Sequence, residues 1–246
     1  MLSKAKIKYI KSLHAKKNRM QDKLFLVEGL KSVLEFLNSE MKVHEVFGTE
    51  LFWQQHKLEI EHSGAHFEIA DDAALKQAGT LSSNNAALAL VHIPEVELDG
   101  LPTNKWTIAL DGINDPGNLG AIIRIADWYG IDRIVASENS VDAYNPKTVS
   151  ASKGSLTRVR VSYADLGEML KGFSGTILGA DMEGTDVHTI SPSKGGVLLM
   201  GSESHGISKE LSNLLTQRIT IPRHGGAESL NVAVATAVIC DCLTRG

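Results

Sequence analysis

Several features that mark particular classes of protein are missing from this chain. Its 246 residues include only two cysteines, Cys240 and Cys242, which would project to roughly opposite sides of a helix. A disulfide framework or a cysteine metal site is therefore not expected, and we predict buried or half-buried thiols. The nine histidines show no ligand spacing, so we predict no metal.

Long apolar runs and targeting signals are also missing. No segment approaches the roughly 20 apolar residues that a membrane helix needs. The lysines near the start precede neither an apolar core nor a cleavage site. We therefore expect a cytoplasmic protein outside the membrane. Neither G-x-G-x-x-G after a strand nor G-x-x-x-x-G-K-[ST] occurs, which argues against NAD and ATP sites, and no serine lies in a nucleophile-elbow motif.

The net charge of −4 conceals a basic amino-terminal segment. Against the single acid of residues 1–23 stand Lys4, Lys6, Lys8, Lys11, Lys16, Lys17, Arg19 and Lys23. An apolar stripe of Leu2, Ile7, Ile10 and Leu13 predicts an amphipathic helix with a basic outer face. Such a face suits phosphate groups, and a merely solvated lysine face is the alternative.

The composition of the chain changes near residue 95. Before it, we predict strands and helices at Phe25–Glu28, Gly29–Leu37, Val43–Phe47, Leu51–Ser63, Phe67–Ile69 and Ala86–His92. This alternation predicts a small α/β domain over residues 1–95. A polar stretch with a proline at each end predicts a linker over 96–105.

Short apolar strands alternate with helices over residues 106–246. The predicted strands are Trp106–Leu110, Arg133–Ala136, Thr176–Ala180, Val197–Met200 and Arg218–Ile221. The predicted helices lie near Leu119–Tyr129, Tyr163–Lys171, Ser208–Leu215 and Leu230–Leu243. Apolar strands without polar alternation are typical of a parallel sheet covered on both faces, so we predict a doubly wound α/β domain.

Three loops that follow strands of this domain carry candidate site residues. After the first strand, Gly117, Gly120 and Arg124 share one helical face, and the arginine leans back toward a helix start that suits an anion. A surface arginine beside helix-packing glycines is the alternative.

The second loop follows the predicted strand Val197–Met200. Glu203 lies in this loop, which is bounded by glycines, and it could order a neighbouring loop, bind a polar ligand or cap a helix.

The third loop, residues 221–231, is the most informative. It contains two glycines that allow close approach of a ligand, and it brings Ser229 and Asn231 to the start of an apolar helix, where the serine is a natural N-cap. Open α/β sheets bind small molecules at such strand ends, although an ordinary strand–loop–helix corner is the alternative.

Together, N-D-P-G-N-L-G-A-I-I-R (114–124), L-M-G-S-E-S-H-G-I-S (199–208) and I-P-R-H-G-G-A-E-S-L-N-V-A-V-A (221–235) resemble the three ordered motifs of the SpoU (TrmH-like) family of SPOUT RNA 2′-O-ribose methyltransferases. More weakly, K-Y-I-K-S-L-H-A-K-K-N-R (8–19) and F-L-V-E-G (25–29) resemble the opening of the RNA substrate-binding domain that many members carry. The resemblance implies an α/β domain with a deep trefoil knot, a homodimer and S-adenosylmethionine as methyl donor. Its acceptor would be a ribose 2′-hydroxyl of tRNA or rRNA.

The motif match also implies roles for individual residues. The polar residues around the reacting centre would be Asn118, Arg124, Glu203, Ser229 and Asn231. The cofactor would be held at Leu178, Gly179, Ala180, Gly201, Ile221 and Leu230. In this family Arg124 is given the task of activating the hydroxyl, but a guanidinium with a pKa above about 12 is a poor base. Stabilising the developing alkoxide is the other role open to it.

The match leaves the target and two rival functions open. Ser150 stands where many relatives carry an arginine, Thr157 replaces a common aromatic, and Ser202 stands where asparagine is common. The sequence does not identify the RNA, the nucleotide or its base. An RNA-binding protein that kept the fold but lost catalysis is one rival. A dinucleotide-dependent enzyme on a Rossmann sheet is the other, and the missing glycine fingerprint argues against it.

Overall fold

The computed structural model describes residues 2–95, 100–191 and 194–245. Residue contacts divide the chain into two units. The first consists of Met1–Glu95 and Asp142–Thr157, and the second of Val96–Val141 and Arg158–Gly246. Part of the predicted linker, residues 96–99, lies outside the described residues.

The first unit is an α/β sandwich built on a four-stranded sheet of the described residues. Its elements are α1 (Lys4–Ser12), α2 (Lys16–Asp22), β1 (Leu24–Glu28), α3 (Leu30–Leu37), β2 (Val43–Gly48), α4 (Glu50–Ser63), β3 (His66–Ile69), α5 (Asp72–Ala78), β4 (Ala87–His92) and α7 (Pro146–Ser152), followed by a 3-10 turn at Ser155–Thr157. The strand order is β1-β4-β2-β3, with β4 antiparallel to both neighbours and β2 parallel to β3. All six predicted elements are present, and α5 was not predicted.

The basic amino-terminal segment forms two helices where one was predicted. Ser3 caps α1 by accepting from the amide of Lys6, and Ile7, Ile10 and Leu13 are buried as the apolar stripe predicts. The first helix ends at Ser12, and α2 begins at Lys16 after its N-cap residue Ala15. The segment therefore belongs to the core of its unit.

The prediction that Arg19 lies on the outer basic face is wrong. Its side chain is 1% exposed and donates from Nε and Nη2 to Oδ2 of Asp142, at 3.2 and 2.5 Å. Nη1 donates to the carbonyls of Leu13 and His14, both at 2.8 Å. Lys6 is also engaged, because its ammonium bonds to the buried Glu45 carboxylate at 2.9 Å. The remaining six basic residues of the segment are exposed.

Residues 142–157 join the first unit although they lie in the sequence between strands of the second. The Tyr144 ring packs against Phe25 with centroids 4.8 Å apart, and α7 contacts β1. Gly154 has a φ of +93°, and a Cβ at this position would lie 2.8 Å from the Glu35 side chain. The buried Arg19–Asp142 pair anchors the start of the segment.

The second unit is built on a parallel sheet of six described strands. Its elements are β5 (Trp106–Asp111), α6 (Pro116–Trp128), β6 (Arg133–Ser137), β7 (Arg160–Ala164), α8 (Leu166–Lys171), β8 (Ile177–Asp186), β9 (Gly196–Gly201), α9 (Lys209–Ser212), β10 (Gln217–Thr220) and α10 (Val232–Thr244), with a 3-10 turn at Val187–Thr189. The strand order is β10-β8-β9-β5-β6-β7, and each pairing is parallel. The doubly wound prediction is confirmed as an α/β fold with a parallel sheet.

One predicted helix of this unit begins too early. The expected helix Tyr163–Lys171 starts at Leu166, because Asp165 caps it by accepting from the amide of Glu168 at 3.1 Å. Tyr163 instead belongs to β7, which pairs with β6. Its hydroxyl donates to the carbonyl of Val141 at 2.7 Å. Among the described residues, no helix combines the length and apolarity needed to cross a bilayer.

Candidate functional site

The three loops singled out in the sequence meet at one edge of the second unit's sheet. They follow β5, β9 and β10, whose carboxyl ends share that edge because these strands run parallel. The loop after β5 leads into α6, where Asp115 caps the helix by accepting from the Asn118 amide at 2.8 Å. The loop after β10 leads into α10, which Asn231 caps.

Hydrogen bonds join one polar side chain from each loop. Oε1 of Glu203 accepts from Nδ2 of Asn118 at 3.0 Å and from Nδ2 of Asn231 at 2.8 Å. The Asn231 Nδ2 also donates to Oδ1 of Asn118 at 2.9 Å. These three residues, which we call the polar triangle, hold the three loops together.

The helix cap of α10 fixes the orientation of the triangle. Oδ1 of Asn231 accepts from the amides of Ala233 and Val234 at 3.0 and 3.3 Å, so its NH2 group must face the other way. Both of its polar atoms are therefore committed, one to α10 and one to the neighbouring loops. Among the described residues no donor bonds to Oε2 of Glu203, which leaves that oxygen available to a ligand.

A tight turn after β9 presents Glu203. Ser202 and Gly206 exchange two backbone hydrogen bonds, of 3.1 and 2.8 Å. A Cβ at Gly201 would lie 2.0 Å from the carbonyl carbon of Gly206, so only glycine allows the two backbones this approach. The turn is also tied to the loop after β5, because the Ser208 amide donates to Oδ2 of Asp111 at 2.7 Å.

A cavity of about 580 Å³ lies between the turn after β9 and the loop after β10. Its apolar lining comes mainly from Met200, Ile207, Ile219, Val232 and Ile239. Six of the residues implied by the motif match also line it, namely Ala180, Gly201, Glu203, Ile221, Ser229 and Leu230. Because Glu203 belongs to both, the polar triangle adjoins the cavity.

The other predicted site residues lie outside the cavity lining. Asn118 and Asn231 reach the site through their bonds to Glu203. Leu178 and Gly179 are buried within β8. A Cβ at Gly179 would lie 2.4 Å from Leu215, which gives this glycine a packing role.

Arg124 is exposed on α6, two turns beyond the start of the helix. Within the described parts of the chain, its guanidinium has neither a hydrogen bond nor an ion pair with another side chain. The same helical face carries the exposed Gly117 and the buried Gly120, as the spacing predicts. The part of Arg124 in catalysis stays a prediction.

Sequence reasoning did not identify most of the apolar residues that line the cavity, nor the charged pair of Arg218 and Asp181. Val232, Ala235 and Ile239 recur at helical spacing on α10, and this periodicity would have identified one wall. Arg218 donates to both Asp181 and Ser212, and the Asp181 carboxylate neutralises its charge. No local pattern shows that pair, because its members lie on different strands.

Comparison with known families agrees with the geometry of the second unit. Residues 105–241, more than half of the chain, match the model of the SpoU rRNA Methylase family. The chain belongs to the SpoU rRNA methylase family. Residues 4–88 match the MRM3-like substrate binding domain, a domain that falls within the first unit.

Two relatives of this SpoU family member, one sequence and one structure, cover nearly its whole length, and another sequence covers about two thirds. It is 32% identical over 243 residues to the 23S rRNA (guanosine(2553)-2′-O)-methyltransferase RlmP of Bacillus subtilis, spanning 95% of this chain and 94% of the relative. A 23S rRNA (uridine(2479)-2′-O)-methyltransferase of Streptomyces viridochromogenes is 32% identical over 64% of this chain and 60% of its own length. The AdoMet-bound rRNA methyltransferase structure from Sinorhizobium meliloti superposes with a TM-score of 0.89 at 27% identity, covering 100% of this chain and 97% of that one.

Proposed function

We propose that this protein transfers a methyl group from S-adenosylmethionine to a ribose 2′-hydroxyl of ribosomal RNA. The observation that carries the proposal is the polar triangle beside an apolar cavity, at the strand ends of a SpoU-family domain. Named relatives of this family methylate 23S rRNA. Because those relatives are named for a guanosine and a uridine, the target nucleotide remains to be determined.

The cavity fits a donor of this kind. Its volume of about 580 Å³ falls within the roughly 300–1,000 Å³ of small-molecule sites. The bound donor supplies an electrophilic methyl group on a positively charged sulfur. Glu203 brings a carboxylate that suits that charge, and Asp181 neutralises Arg218, although the exposed Arg223 also belongs to the lining. Ala180, Gly201, Ile221 and Leu230 would hold the donor, and Leu178 and Gly179 would support them through β8.

The protein's own groups would position and activate the acceptor. The two asparagine amides fix Oε1 of Glu203, and the unbonded Oε2 can accept a hydrogen bond from a hydroxyl. Ser229 adds an exposed hydroxyl to the cavity wall. Arg124 would stabilise the developing alkoxide, a role that needs no loss of its proton. Holding the reacting atoms in line is worth about 7–11 kcal/mol, so positioning carries most of the task.

The first unit would bind the RNA. Its amino-terminal helices expose Lys4, Lys8, Lys11, Lys16, Lys17 and Lys23. Residues 1–95 form this domain in the proposal, residues 96–105 the linker and 106–246 the catalytic domain. Since Ile10 and Leu13 are fully buried, replacing lysines tests the surface better than deleting the segment. A salt-sensitive RNA affinity that falls as lysines are changed to alanine would support it.

A homodimer and a knotted chain complete the proposal. Trp128 on α6 is 83% exposed and Val234 on α10 is 50% exposed, on two helices that contact each other. A second copy would cover this apolar surface, and Trp128→Ser should shift sedimentation toward the monomer. The knotted path is proposed from the match of the second unit to the SpoU family. A ribosomal substrate also favours a cytoplasmic location.

Two measurements test the activity. Calorimetric titration with S-adenosylmethionine should show binding, and transfer of tritium from labelled donor to 23S rRNA should yield dinucleotides that resist alkali, the mark of a 2′-O-methyl group. Donor binding without transfer to any tested RNA would contradict the proposed activity. No donor binding together with RNA binding would favour the rival RNA-binding protein.

A further inference from the structure

The cavity lining holds a second arginine, Arg223, which has no acidic partner among the described residues. Arg223 lines the cavity and is exposed. Its Nη1 donates to the carbonyl of Ala227 at 3.2 Å, which folds the loop after β10 but leaves the charge uncompensated. Among the described residues it has no ion pair. This contrasts with Arg218, the other arginine in the described lining, which is bonded to Asp181.

A guanidinium has five N–H donors, and this hydrogen bond occupies one of them. The remaining donors can bind an anion, and their planar fork matches the oxygens of a phosphate. The loop around the arginine leaves room for a large ligand, because a Cβ at Gly225 or Gly226 would meet no atom within 4 Å. Glu228 is the acid of this loop, and it is not among the lining residues.

We propose that Arg223 binds a backbone phosphate of the RNA substrate at the mouth of the cavity. This inference rests on the proposed function and adds the residue that would place the acceptor strand over the donor site. The contact is with the backbone, so it would position RNA without selecting a base.

Binding of a radiolabelled 23S rRNA transcript, measured at several salt concentrations, tests the contact. Arg223→Ala should weaken RNA binding on the order of tenfold, as for one lost charged hydrogen-bonding group. The slope of log K against log salt should fall by about 0.7–0.9, the value for one phosphate. Arg223→Lys should keep that slope, because it retains the charge. Arg160→Ala is the matched control, since Arg160 is an exposed first residue of β7 at the opposite edge of the sheet.

Three results would overturn the inference. One is RNA binding unchanged in Arg223→Ala, and another is an equal loss in Arg160→Ala, which would indicate general charge attraction. The third is a loss of S-adenosylmethionine affinity with RNA binding intact, which would assign Arg223 to the donor's carboxylate. Failure of the proposed function is distinguishable, because the unaltered protein would then transfer no methyl group to the RNA.

Discussion

The polar triangle predicts that Asn231→Asp lowers activity while the cap of α10 is kept. The aspartate keeps the oxygen that caps α10, but it replaces the NH2 group that donates to Asn118 and Glu203. A carboxylate oxygen would then lie near 2.8 Å from Oε1 of Glu203, the present donor–acceptor distance. The polar triangle would lose two hydrogen bonds and gain a like-charge contact.

The expected loss can be estimated from these bonds. A hydrogen bond to a charged group contributes about 1.5–3 kcal/mol and a neutral one about 1 kcal/mol. Solvent screening at these exposed residues favours the lower end, so we take about 2–3 kcal/mol, which is about 30- to 150-fold in kcat/KM. Asn231→Ala loses the cap as well, which costs about 1 kcal/mol, or about 2–4 °C in Tm for a protein of this size.

The assay is methyl transfer to 23S rRNA, with thermal unfolding followed in parallel. Asn213→Asp is the matched control, because it adds the same charge at an exposed position of the same unit. We expect Asn231→Asp to lose activity and to melt lower by the free energy of the two lost bonds, and Asn231→Ala to lose activity and the helix cap as well. An Asn231→Asp enzyme as active as the Asn213→Asp control would refute the argument that the triangle positions Glu203.

The remaining predictions concern packing and burial. Arg19→Ala should cost about 3–5 kcal/mol in unfolding free energy, because it leaves the Asp142 carboxylate buried without its partner. The side chain of Asp142 is 5% exposed. A loss below about 1 kcal/mol in denaturant titration would contradict this prediction. Gly201→Ala should abolish donor binding measured by calorimetry, since its Cβ would lie 2.0 Å from backbone. Gly225→Ala is the control and should leave donor binding intact, because its Cβ would meet open space. Equal effects of the two substitutions would rule out the steric explanation. Burial raises the pKa of the Cys240 thiol to about 12. Cys240 should therefore react with a thiol reagent at pH 8 far more slowly than the half-buried Cys242. Equal rates in the native protein would be inconsistent with the burial of Cys240.

Local pattern identified Glu203 and the start of the last helix as candidate positions, and the motif match added Asn118. The parallel strands bring the loops that carry these residues to one edge of the sheet. The cap of the last helix was predicted wrongly, because Ser229 before Leu230 looks like a natural cap, whereas Asn231 caps a helix that begins at Val232. The hydrogen bonds among the three were not predictable, since they depend on distances between separate loops.

Long-range burial was beyond the sequence. Arg19 looks like one more cation of a basic helix, and its partner Asp142 is 123 residues away. The same separation concealed that residues 142–157 belong to the first unit. The packing of Gly179 was also not visible in the sequence, because the Leu215 side chain that occupies the space beside it comes from another part of the chain.

The most direct test is a nucleotide-resolution map of 2′-O-methylation in 23S rRNA from cells that lack this protein, complemented with either the unaltered gene or the Asn231→Asp variant. The account predicts one methylated ribose that disappears with the protein, returns with the unaltered copy and stays absent with the variant at equal protein level. An identical map in all these cells, or full restoration by Asn231→Asp, would contradict it.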